Sequence, residues 1–388
     1  MGAAAAVGGV PARRLRDRLL DGRDRLQASP AFRRWATAFP LTRPVARRRA
    51  RALFDLCAGF AYSQILLACV QVGLFELLAD GPLEAAAIAR RTELPVEGAR
   101  RLLAAAASLD LLARRGEDRY GLGNLGAALL GNPGLVAMIE HHTMLYADLR
   151  DPVGLLRREQ VGTSLGRYWG YAESSPGALT APEVSPYSRL MAASQPLIAA
   201  EVLAAYRFGR HGHLLDVGGG TGAFLLQVAE HAPGLKLTLF DLPAVAEVAR
   251  ARFAAAGLGD RAQAVGGDFH SDRLPQGADA ISLVRVLHDH DDASALALLR
   301  SARTALSDDG TLVIAEPMSG TAGAAPIGDA YFGFYLLAMG RGRPRTPAEL
   351  GAMLRQAGFA EHRLLRTRTP LLARVILARG HTRGVTSD

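Results

Sequence analysis

The amino-acid sequence predicts an α/β protein: a doubly wound, mostly parallel, seven-stranded Rossmann-like sheet preceded by an α-helical winged-helix domain. From His211 onward, short apolar segments alternate with amphipathic segments of helical length, as in parallel sheets whose strands are joined by helices. Upstream, an Ala/Leu-rich region ends in helix, turn, helix and two short strands, the order of a winged helix. The 388 residues suffice for about two domains.

The elements of the C-terminal half follow one another at regular intervals. The predicted strands are 214–217, 235–240, 262–266, 278–286, 311–316, 362–368 (weak) and 373–378, and the predicted helices are 223–231, 244–256, 293–306 and 346–358. Thr346-Pro-Ala-Glu349 has the pattern of a capping box with proline at the first helical position. Because ligands of such sheets bind at the carboxyl ends of the strands, we expect the site at that edge.

Positive charge is concentrated at the N-terminus. Residues 1–52 contain thirteen arginines against three aspartates, whereas the formal net charge of the whole chain is +8. The body is therefore nearly neutral, which argues against a wholly basic nucleic-acid-binding protein. Leucines and aromatic residues between the arginines leave three interpretations of the arm: a solvated extension, contact with an anionic membrane surface, or nucleic-acid binding.

The composition along the chain predicts five regions. These are a basic arm with one or two short helices (1–50), a winged-helix domain (51–130), a helical linker (131–200), the sheet domain (201–380) and a short tail (381–388). Cys57 and Cys69 lie in an apolar segment, which predicts buried, reduced thiols and a cytoplasmic protein. No signal peptide is evident, and the longest apolar stretch, 60–78, is too interrupted for a membrane span.

A glycine-rich motif, Asp216-Val-Gly-Gly-Gly-Thr-Gly222, joins an apolar strand to an amphipathic helix. Glycines permit a sharp turn and a close approach of the backbone to a ligand. The motif has three interpretations: a tight connection without a ligand, a dinucleotide site, or a site for a cationic or zwitterionic cofactor. Asp216 would repel a pyrophosphate, so the third interpretation is favoured.

Two further motifs follow the next two strands. Asp241, in the sequence Phe-Asp-Leu-Pro, can accept hydrogen bonds from both hydroxyls of a ribose or cap the next helix. Asp268 can accept from an adenine amino group, and Phe269 offers a face on which the ring can stack. Three such motifs in order at successive strand ends predict a nucleoside-containing cofactor.

The fourth strand is followed by the run Leu287-His-Asp-His-Asp-Asp292. Histidine is suited to accept a proton near neutral pH, which makes His288 a candidate general base. Glu316, at the end of the fifth strand, can accept the second N–H of the imidazole and fix its tautomer. A metal site is the alternative, but neighbouring ligands in one turn point in different directions. Asp291 and Asp292 are expected to cap the next helix.

Together the motifs DVGGGTG, FDLP, GDF, LHD and AEP resemble the S-adenosyl-L-methionine (SAM)-dependent small-molecule O-methyltransferases, which include plant phenolic and acetylserotonin enzymes. The resemblance covers roughly residues 50–380 and implies SAM as co-substrate, no metal, and a homodimer formed through the winged-helix domain. Segments 29–57 and 331–346 resemble the bacterial carotenoid branch, which implies that the acceptor is the tertiary 1-hydroxyl of an acyclic carotenoid.

The resemblance also implies residue roles. Gly218 and Gly220 would line the methionine part of SAM beside Asp216, Asp241 its ribose, and Asp268, Phe269 and Arg285 its adenine. His288 would be the general base with Glu316 beside it. The second carboxylate of the plant members is missing, because Pro344 stands in its place, so Asp289 is expected to help. Aromatic, histidine and methionine side chains are expected to line an apolar tunnel: Met138, His142, Tyr146, Met191, Tyr331, Phe332, Phe334, Tyr335 and Met339.

Other functions stay open at this point. A related branch methylates carbon in a bacteriochlorophyll precursor, and a phenolic or polyketide acceptor is compatible with the same motifs. A SAM-sensing regulator that binds DNA through the winged helix is the remote alternative. Residues 83–122 mix arginines with six acidic side chains and lack a basic stripe, so no nucleic-acid partner is expected.

Overall fold

The computed structural model of the protein describes residues 9–159, 162–168 and 181–380. The chain divides into two compact units, residues 1–125 and 126–388. The predicted tail and part of the linker lie outside the described residues. The division falls near the limit predicted at residue 130, and the five predicted regions stay predictions.

Long helices form the beginning of the first unit. In chain order they are α1 (Gly9–Ala28), α2 (Pro30–Ala38), α3 (Arg43–Gln71) and the short α4 (Leu74–Leu77). Ser29 caps α2, and prolines at 30 and 44 occupy first-turn positions of α2 and α3, where a missing N–H is tolerated. The expectation of one or two short helices in residues 1–50 was wrong. Leucine and arginine favour helix, and one uninterrupted helix crosses residue 50.

Much apolar surface on these helices is exposed within the unit. The exposed large side chains are Leu15, Leu19, Leu26, Trp35, Phe39, Leu41, Val45, Leu53, Phe54, Leu56 and Phe60. Of the described residues, only α3 is long and apolar enough to cross a membrane by length and composition alone. Helices in protein cores and interfaces share both properties.

The two cysteines, both free, differ in exposure. Cys69 is buried, and its burial raises the pKa of the thiol to about 12. Cys57 is exposed, so the prediction of two buried thiols was wrong for this residue. The apolar residues around Cys57 on α3, such as Leu53, Phe54 and Leu56, are exposed as well, which sequence periodicity alone does not reveal.

A winged helix completes the first unit, as predicted. Its elements are β1 (Leu83–Glu84), α5 (Ala85–Arg91), α6 (Val96–Ser108), β2 (Leu112–Arg114) and β3 (Arg119–Leu122). The three strands form an antiparallel sheet in the order β1-β3-β2, and the turn between β2 and β3 is the tip of the wing. Residues 83–84 form a short strand that immediately precedes α5.

The second unit opens with helices and continues as the large sheet. The helices are α7 (Asn124–Leu129, at the boundary), α8 (Pro133–Asp148), α9 (Pro152–Leu156), α10 (Ser164–Tyr168) and α11 (Ala181–Ala205). The sheet and its helices are β4 (His213–Val217), α12 (Ala223–His231), β5 (Lys236–Asp241), α13 (Pro243–Ala255), β6 (Ala262–Gly266), β7 (Ala278–Val284), α14 (Asp292–Ala305), β8 (Leu306–Glu316), α15 (Phe332–Met339), α16 (Pro347–Gln356), β9 (Glu361–Leu365) and β10 (Arg374–Arg379).

The sheet order is β6-β5-β4-β7-β8-β10-β9. Strands β4 to β8 pair in parallel, and β10 is antiparallel to both of its neighbours. Successive residues face opposite layers: Leu214 packs with Phe224 and Phe253, whereas Leu215 packs with Leu298 and Leu350. Helices cover both faces, which confirms the predicted doubly wound sheet.

Every predicted strand of the sheet is present, with ends shifted by a few residues. The largest difference is β8, which begins five residues before the predicted position. The capping box is confirmed, since Thr346 accepts from the amide of Glu349 and Glu349 accepts from the amide of Thr346. The order places the ends of β4, β5, β7 and β8 at one edge, where the predicted site residues lie.

Candidate active site

The glycine-rich turn after β4 has a conformation that requires glycine. Gly218, Gly220 and Gly222 have φ angles of +68°, +58° and +79°. A Cβ at Gly222 would lie 2.6 Å from the ring of Phe253, so a side chain there would clash with the core. A Cβ at Gly220 would meet nothing within 4 Å, which leaves the outer face of the turn open to a ligand.

Asp216 lies beneath this turn with a raised pKa. Its carboxylate accepts a 2.6 Å hydrogen bond from the Ser282 hydroxyl, and the other oxygen, Oδ2, has no partner among the described residues. Burial is the largest cause that raises the pKa of Asp216, to about 7. A buried carboxylate with an unused acceptor fits a cationic or hydrogen-bond-donating ligand.

Asp241 ends β5 and holds the glycine turn from the other side. Oδ2 accepts from the amide of Gly220 at 2.8 Å, and Oδ1 accepts from the amide of Leu242 at 2.8 Å. Burial raises the pKa of Asp241 to about 6, although both hydrogen bonds oppose the shift. Its predicted ribose contact stays a prediction, to which the structure adds a second role as a brace for the turn.

The loop after β6 forms a small aromatic cluster. Asp268 accepts from the amide of His270 at 2.9 Å, which fixes the loop locally. The Phe269 ring lies 4.6 Å from the His270 ring and 5.2 Å from the His290 ring, the latter edge-on. Burial is the largest cause that lowers the pKa of His290, to about 3, so this ring is neutral. Sequence reasoning did not single out His270, and it considered His290 only as a possible metal ligand.

Arg285 follows β7 in a left-handed conformation, with φ +59°. Its guanidinium donates to the Ser194 hydroxyl at 2.8 Å and contacts the Met191 sulfur at 2.7 Å, both on α11. Positive φ is uncommon outside glycine and tends to occur at functional sites. The structure thus brings two predicted site residues, Met191 and Arg285, into contact beside His288.

His288 lies in a 3₁₀ turn, Leu287–Asp289, and is 5% exposed. Its Nε2 lies 3.2 Å from Asp289 Oδ1, and its Nδ1 lies 3.6 Å from Glu316 Oε1. The backbone amide of His288 also donates to Glu316 Oε1 at 3.2 Å. Burial opposes the charged imidazolium, but Asp289 and Glu316 outweigh it and raise the pKa of His288. The three predicted catalytic residues are therefore brought together.

An aromatic and polar wall stands beside His288. A π-helix at Pro326–Tyr331 continues into α15, and such turns are rare and frequent at functional sites. The Phe332 ring lies edge-on to His288, with centroids 6.1 Å apart. Tyr331 OH and His142 Nε2 are 2.7 Å apart, and Tyr331 also contacts the Met138 sulfur at 3.6 Å.

The other residues that were predicted to line the apolar tunnel differ from one another in burial and contacts. Tyr335 is buried and its OH lies 2.8 Å from Nε2 of His141, a residue that the sequence prediction omitted. Burial lowers the pKa of His141 to about 4, so this pair is neutral. Tyr146 lies edge-on to the His142 ring. Met339 is 1% exposed in an apolar cluster, as expected for core packing, and Phe334 is half-buried.

Asp291 and Asp292, which follow the turn of His288, have different contacts at the beginning of α14. Asp291 is the N-cap of α14 and accepts from the amide of Ser294 at 2.8 Å, as predicted. Asp292 instead pairs with Arg343 and Arg345.

Within residues 9–159, 162–168 and 181–380, no three histidine, cysteine, aspartate or glutamate side chains form a group that could hold a metal ion.

Comparison with known proteins gives the family. Residues 146–360 match the O-methyltransferase domain, and residues 54–132 match the O-methyltransferase dimerisation domain. The demethylspheroidene O-methyltransferase of Cereibacter sphaeroides is 44% identical over 355 residues, which cover 91% of this chain and 93% of that protein. The chain belongs to the O-methyltransferase family.

A second relative and a solved structure support the same family. The demethylspheroidene O-methyltransferase of Rhodobacter capsulatus is 42% identical, over 87% of this chain and 84% of that protein. The crystal structure of human N-acetylserotonin methyltransferase in complex with SAM superposes with a TM-score of 0.72 at 27% identity, covering 86% of this chain and 98% of the human one. The protein is a SAM-dependent O-methyltransferase.

The dimerisation match also bears on the winged helix. It assigns residues 54–132 to subunit association and supports a homodimer of this O-methyltransferase. The regulator alternative therefore loses the feature that suggested it. The absence of a nucleic-acid partner stays a prediction.

The affinity of this O-methyltransferase for SAM is expected to fall as the pH is lowered from about 8 to 5.5. The pKa values of Asp216 and Asp241 lie at about 7 and about 6, and a cationic ligand favours their ionised forms. Protonation below these values therefore weakens binding. Calorimetric titration with SAM across this range measures the dissociation constant at each pH. Asp216→Asn should remove the part of the pH dependence that lies near pH 7, the pKa of Asp216. A dissociation constant that is independent of pH would contradict the assignment of both carboxylates.

Proposed function

We propose that this O-methyltransferase transfers the methyl group of SAM to the tertiary 1-hydroxyl of an acyclic carotenoid, with His288 as general base. The observation that carries the proposal is the buried His288 between two carboxylates and beside an aromatic wall. The substrate class is supported by the two relatives named demethylspheroidene O-methyltransferase, at 44% and 42% identity.

The residues at the ends of β4 and β5 fit SAM. The open face of Gly220 and the unused oxygen of Asp216 suit the amino-acid part, and Asp241 suits the ribose. Phe269 offers an aromatic face to the adenine, with Asp268 at the same loop and Arg285 nearby. When bound, SAM supplies an electrophilic methyl group on its sulfonium sulfur.

His288 has to remove a proton from a weakly acidic alcohol. Free alkoxide is negligible near neutral pH, so the proton must leave while the oxygen attacks the methyl group. His288 accepts that proton at one ring nitrogen. Glu316 lies beside Nδ1 and Asp289 beside Nε2, and both carboxylates stabilise the imidazolium that results. Asp289 thus supplies the second negative charge that Pro344 cannot.

The wall on the acceptor side excludes water and aligns a long apolar molecule. Phe332 and Tyr331 present ring edges and faces, and the Tyr331 hydroxyl forms a hydrogen bond with His142 Nε2. Burial is the cause that lowers the pKa of His142, so the pair is neutral and tolerates an apolar neighbour. Alignment of hydroxyl, methyl and sulfur within such a wall contributes much of the rate.

The substrate class is tested by methyl transfer from labelled SAM to three acceptors in detergent. These are a 1-hydroxy carotenoid, a catechol-type phenol and a bacteriochlorophyll precursor. We expect label on the carotenoid alone. Label on the phenol alone would favour an acceptor like that of 3-hydroxy-5-methyl-1-naphthoate 3-O-methyltransferase, a 32% identical relative from Streptomyces sahachiroi. Label on the tetrapyrrole alone would instead indicate C-methylation.

The pH dependence of kcat/KM tests the base. Only neutral His288 accepts a proton, so kcat/KM should rise with pH. Because Asp289 and Glu316 raise the pKa of His288 despite its burial, the midpoint should lie above the ordinary histidine value of about 6.5. Glu316→Gln removes one negative charge and should lower the midpoint. A profile with no histidine-like rise, or one that Glu316→Gln leaves in place, would speak against the assignment.

We further propose that the enzyme is cytoplasmic and touches the membrane through its N-terminal arm. Phe32 and Trp35 on α2 and Phe39 at its C-cap form a row, with ring centroids 5.6 and 5.2 Å apart, and Arg33 and Arg34 lie between the first two. Aromatic rings beside arginines suit the surface of an anionic bilayer. A carotenoid dissolved in the membrane would then be close to the enzyme.

Deletion of residues 1–41, which leaves α3 whole, should abolish binding to anionic liposomes. Turnover of carotenoid embedded in those liposomes should fall, whereas turnover of detergent-dispersed carotenoid should persist. The double variant Arg33→Gln, Arg34→Gln is the matched control for charge, and it should weaken binding most at low salt. Unchanged liposome binding and unchanged turnover after the deletion would remove this proposal.

A further inference from the structure

Arg345 is among the largest fully buried side chains of the described residues, at 1% exposure. A buried guanidinium needs partners for its charge and its donors. It donates to the carbonyl oxygens of Leu287 and His290, both at 2.7 Å, and to Asp292 Oδ1 at 2.9 Å. The two carbonyl groups come from the residues on either side of His288 and Asp289. One side chain therefore binds both ends of the turn that carries the candidate base.

The segment that carries Arg345, residues 342–345, presses on this turn, and we call it the strap. Gly342 has φ +78°, and a Cβ there would collide with the carbonyl oxygen of His288 and the backbone of Asp289. The carbonyl oxygen of Arg345 accepts from the amide of Ser319 at 3.1 Å, just beyond the strand that ends at Glu316. The strap thus links the turn of His288 to the segment that follows the strand of Glu316.

Arg343 and Arg345 both pair with Asp292, but their other contacts differ. Asp292 is exposed and also pairs with Arg343, which reaches Glu349 as well. Arg343 does not contact either carbonyl group of the turn among the hydrogen bonds of the described residues. The two arginines share one carboxylate, but only Arg345 reaches the turn.

We propose that Arg345 is a positioning residue for methyl transfer, which holds His288 between Asp289 and Glu316. This inference rests on the proposed role of His288 as the base. The strap contains Pro344 where a carboxylate would be expected from the resemblance, so it supports His288 through the backbone of the turn instead. Catalysis is sensitive to such support, since a displacement of about 1 Å can reduce the rate about 100-fold.

The test compares Arg345→Met and Arg345→Lys with the matched control Arg343→Met, all in the full-length protein. For the Arg345 variants we expect kcat to fall about 10- to 100-fold, with little change in the dissociation constant of SAM. The midpoint of the kcat/KM profile should also move down toward that of an ordinary histidine, because the two carboxylates no longer bracket the ring. Arg343→Met should leave kcat and the midpoint in place.

Asp292→Asn provides a second route if Arg345→Met does not fold. Asp292 is exposed, so the change weakens the anchor without opening the core, and the midpoint should shift in the same direction by less. Folded Arg345 variants that keep both kcat and the midpoint would overturn the inference. So would a loss of activity that parallels thermal stability while the midpoint stays. If His288→Ala is inactive in either of those cases, the proposed function survives and only the role of Arg345 fails.

Discussion

Replacement of His288 by alanine is expected to reduce methyl transfer by about 10²–10⁴-fold, the usual contribution of a positioned general base. The affinity for SAM should change little, because the predicted SAM contacts lie at the ends of β4, β5 and β6 and at Arg285, and none of them is in the turn of His288, Leu287–Asp289. The large effect is expected because the proposed acceptor, a tertiary alcohol, is too weakly acidic to lose its proton without a base. Single-turnover rates with a 1-hydroxy carotenoid, together with calorimetric binding of SAM, measure the two quantities separately.

His231→Ala is the matched control for this experiment. His231 is an exposed histidine at the end of α12 that bonds only the carbonyl oxygen of Gln227 in the described structure, so its loss should leave turnover intact. Full activity of His288→Ala would mean that alignment alone drives the reaction. Equal loss of turnover and of SAM binding would instead give His288 a structural role.

The strands and the glycine turn were predictable because their causes are local. An apolar strand needs only its own residues, and glycine at positions 218, 220 and 222 reflects φ angles of +58° to +79° in one turn. Motifs at successive strand ends then converge because parallel strands share a carboxyl edge. His288 and Glu316 were predicted in this way and Asp289 from the family resemblance, and the structure places both carboxylates within ion-pair distance of the His288 ring.

The remaining features depend on contacts between distant parts of the chain. Arg345 lies 58 residues from Leu287, and Tyr335 lies 194 residues from His141. An arginine in a Gly-Arg-Pro-Arg segment looks like a surface residue, and the sequence gives no sign that the guanidinium of Arg345 is buried. Cys57 shows the reverse case: the apolar sequence around it predicts a buried thiol, but the residue is exposed in the structure. Tertiary packing decides both.

Asp241→Ala is expected to weaken SAM binding by on the order of 100-fold or more. Two hydrogen bonds from a ribose to a carboxylate contribute about 1.5–3 kcal/mol each, and about 1.4 kcal/mol is tenfold in affinity. The variant also leaves the amides of Gly220 and Leu242 without their acceptor, so the glycine turn loses its brace. Binding should therefore suffer twice, once from lost contacts and once from a less ordered turn.

Asp279→Ala separates these effects from a general loss of stability. Asp279 also accepts from two backbone amides, those of Gly212 and His213 at 2.9 and 2.8 Å, but at the beginning of β4 rather than at its end. Both variants should lower the melting temperature, whereas only Asp241→Ala should lose SAM affinity in calorimetric titrations. If both variants bind SAM as the parent protein does, the cofactor is not held at the ends of β4 and β5. Equal losses of affinity in both would mean that stability of the sheet, and not a ribose contact, explains the effect.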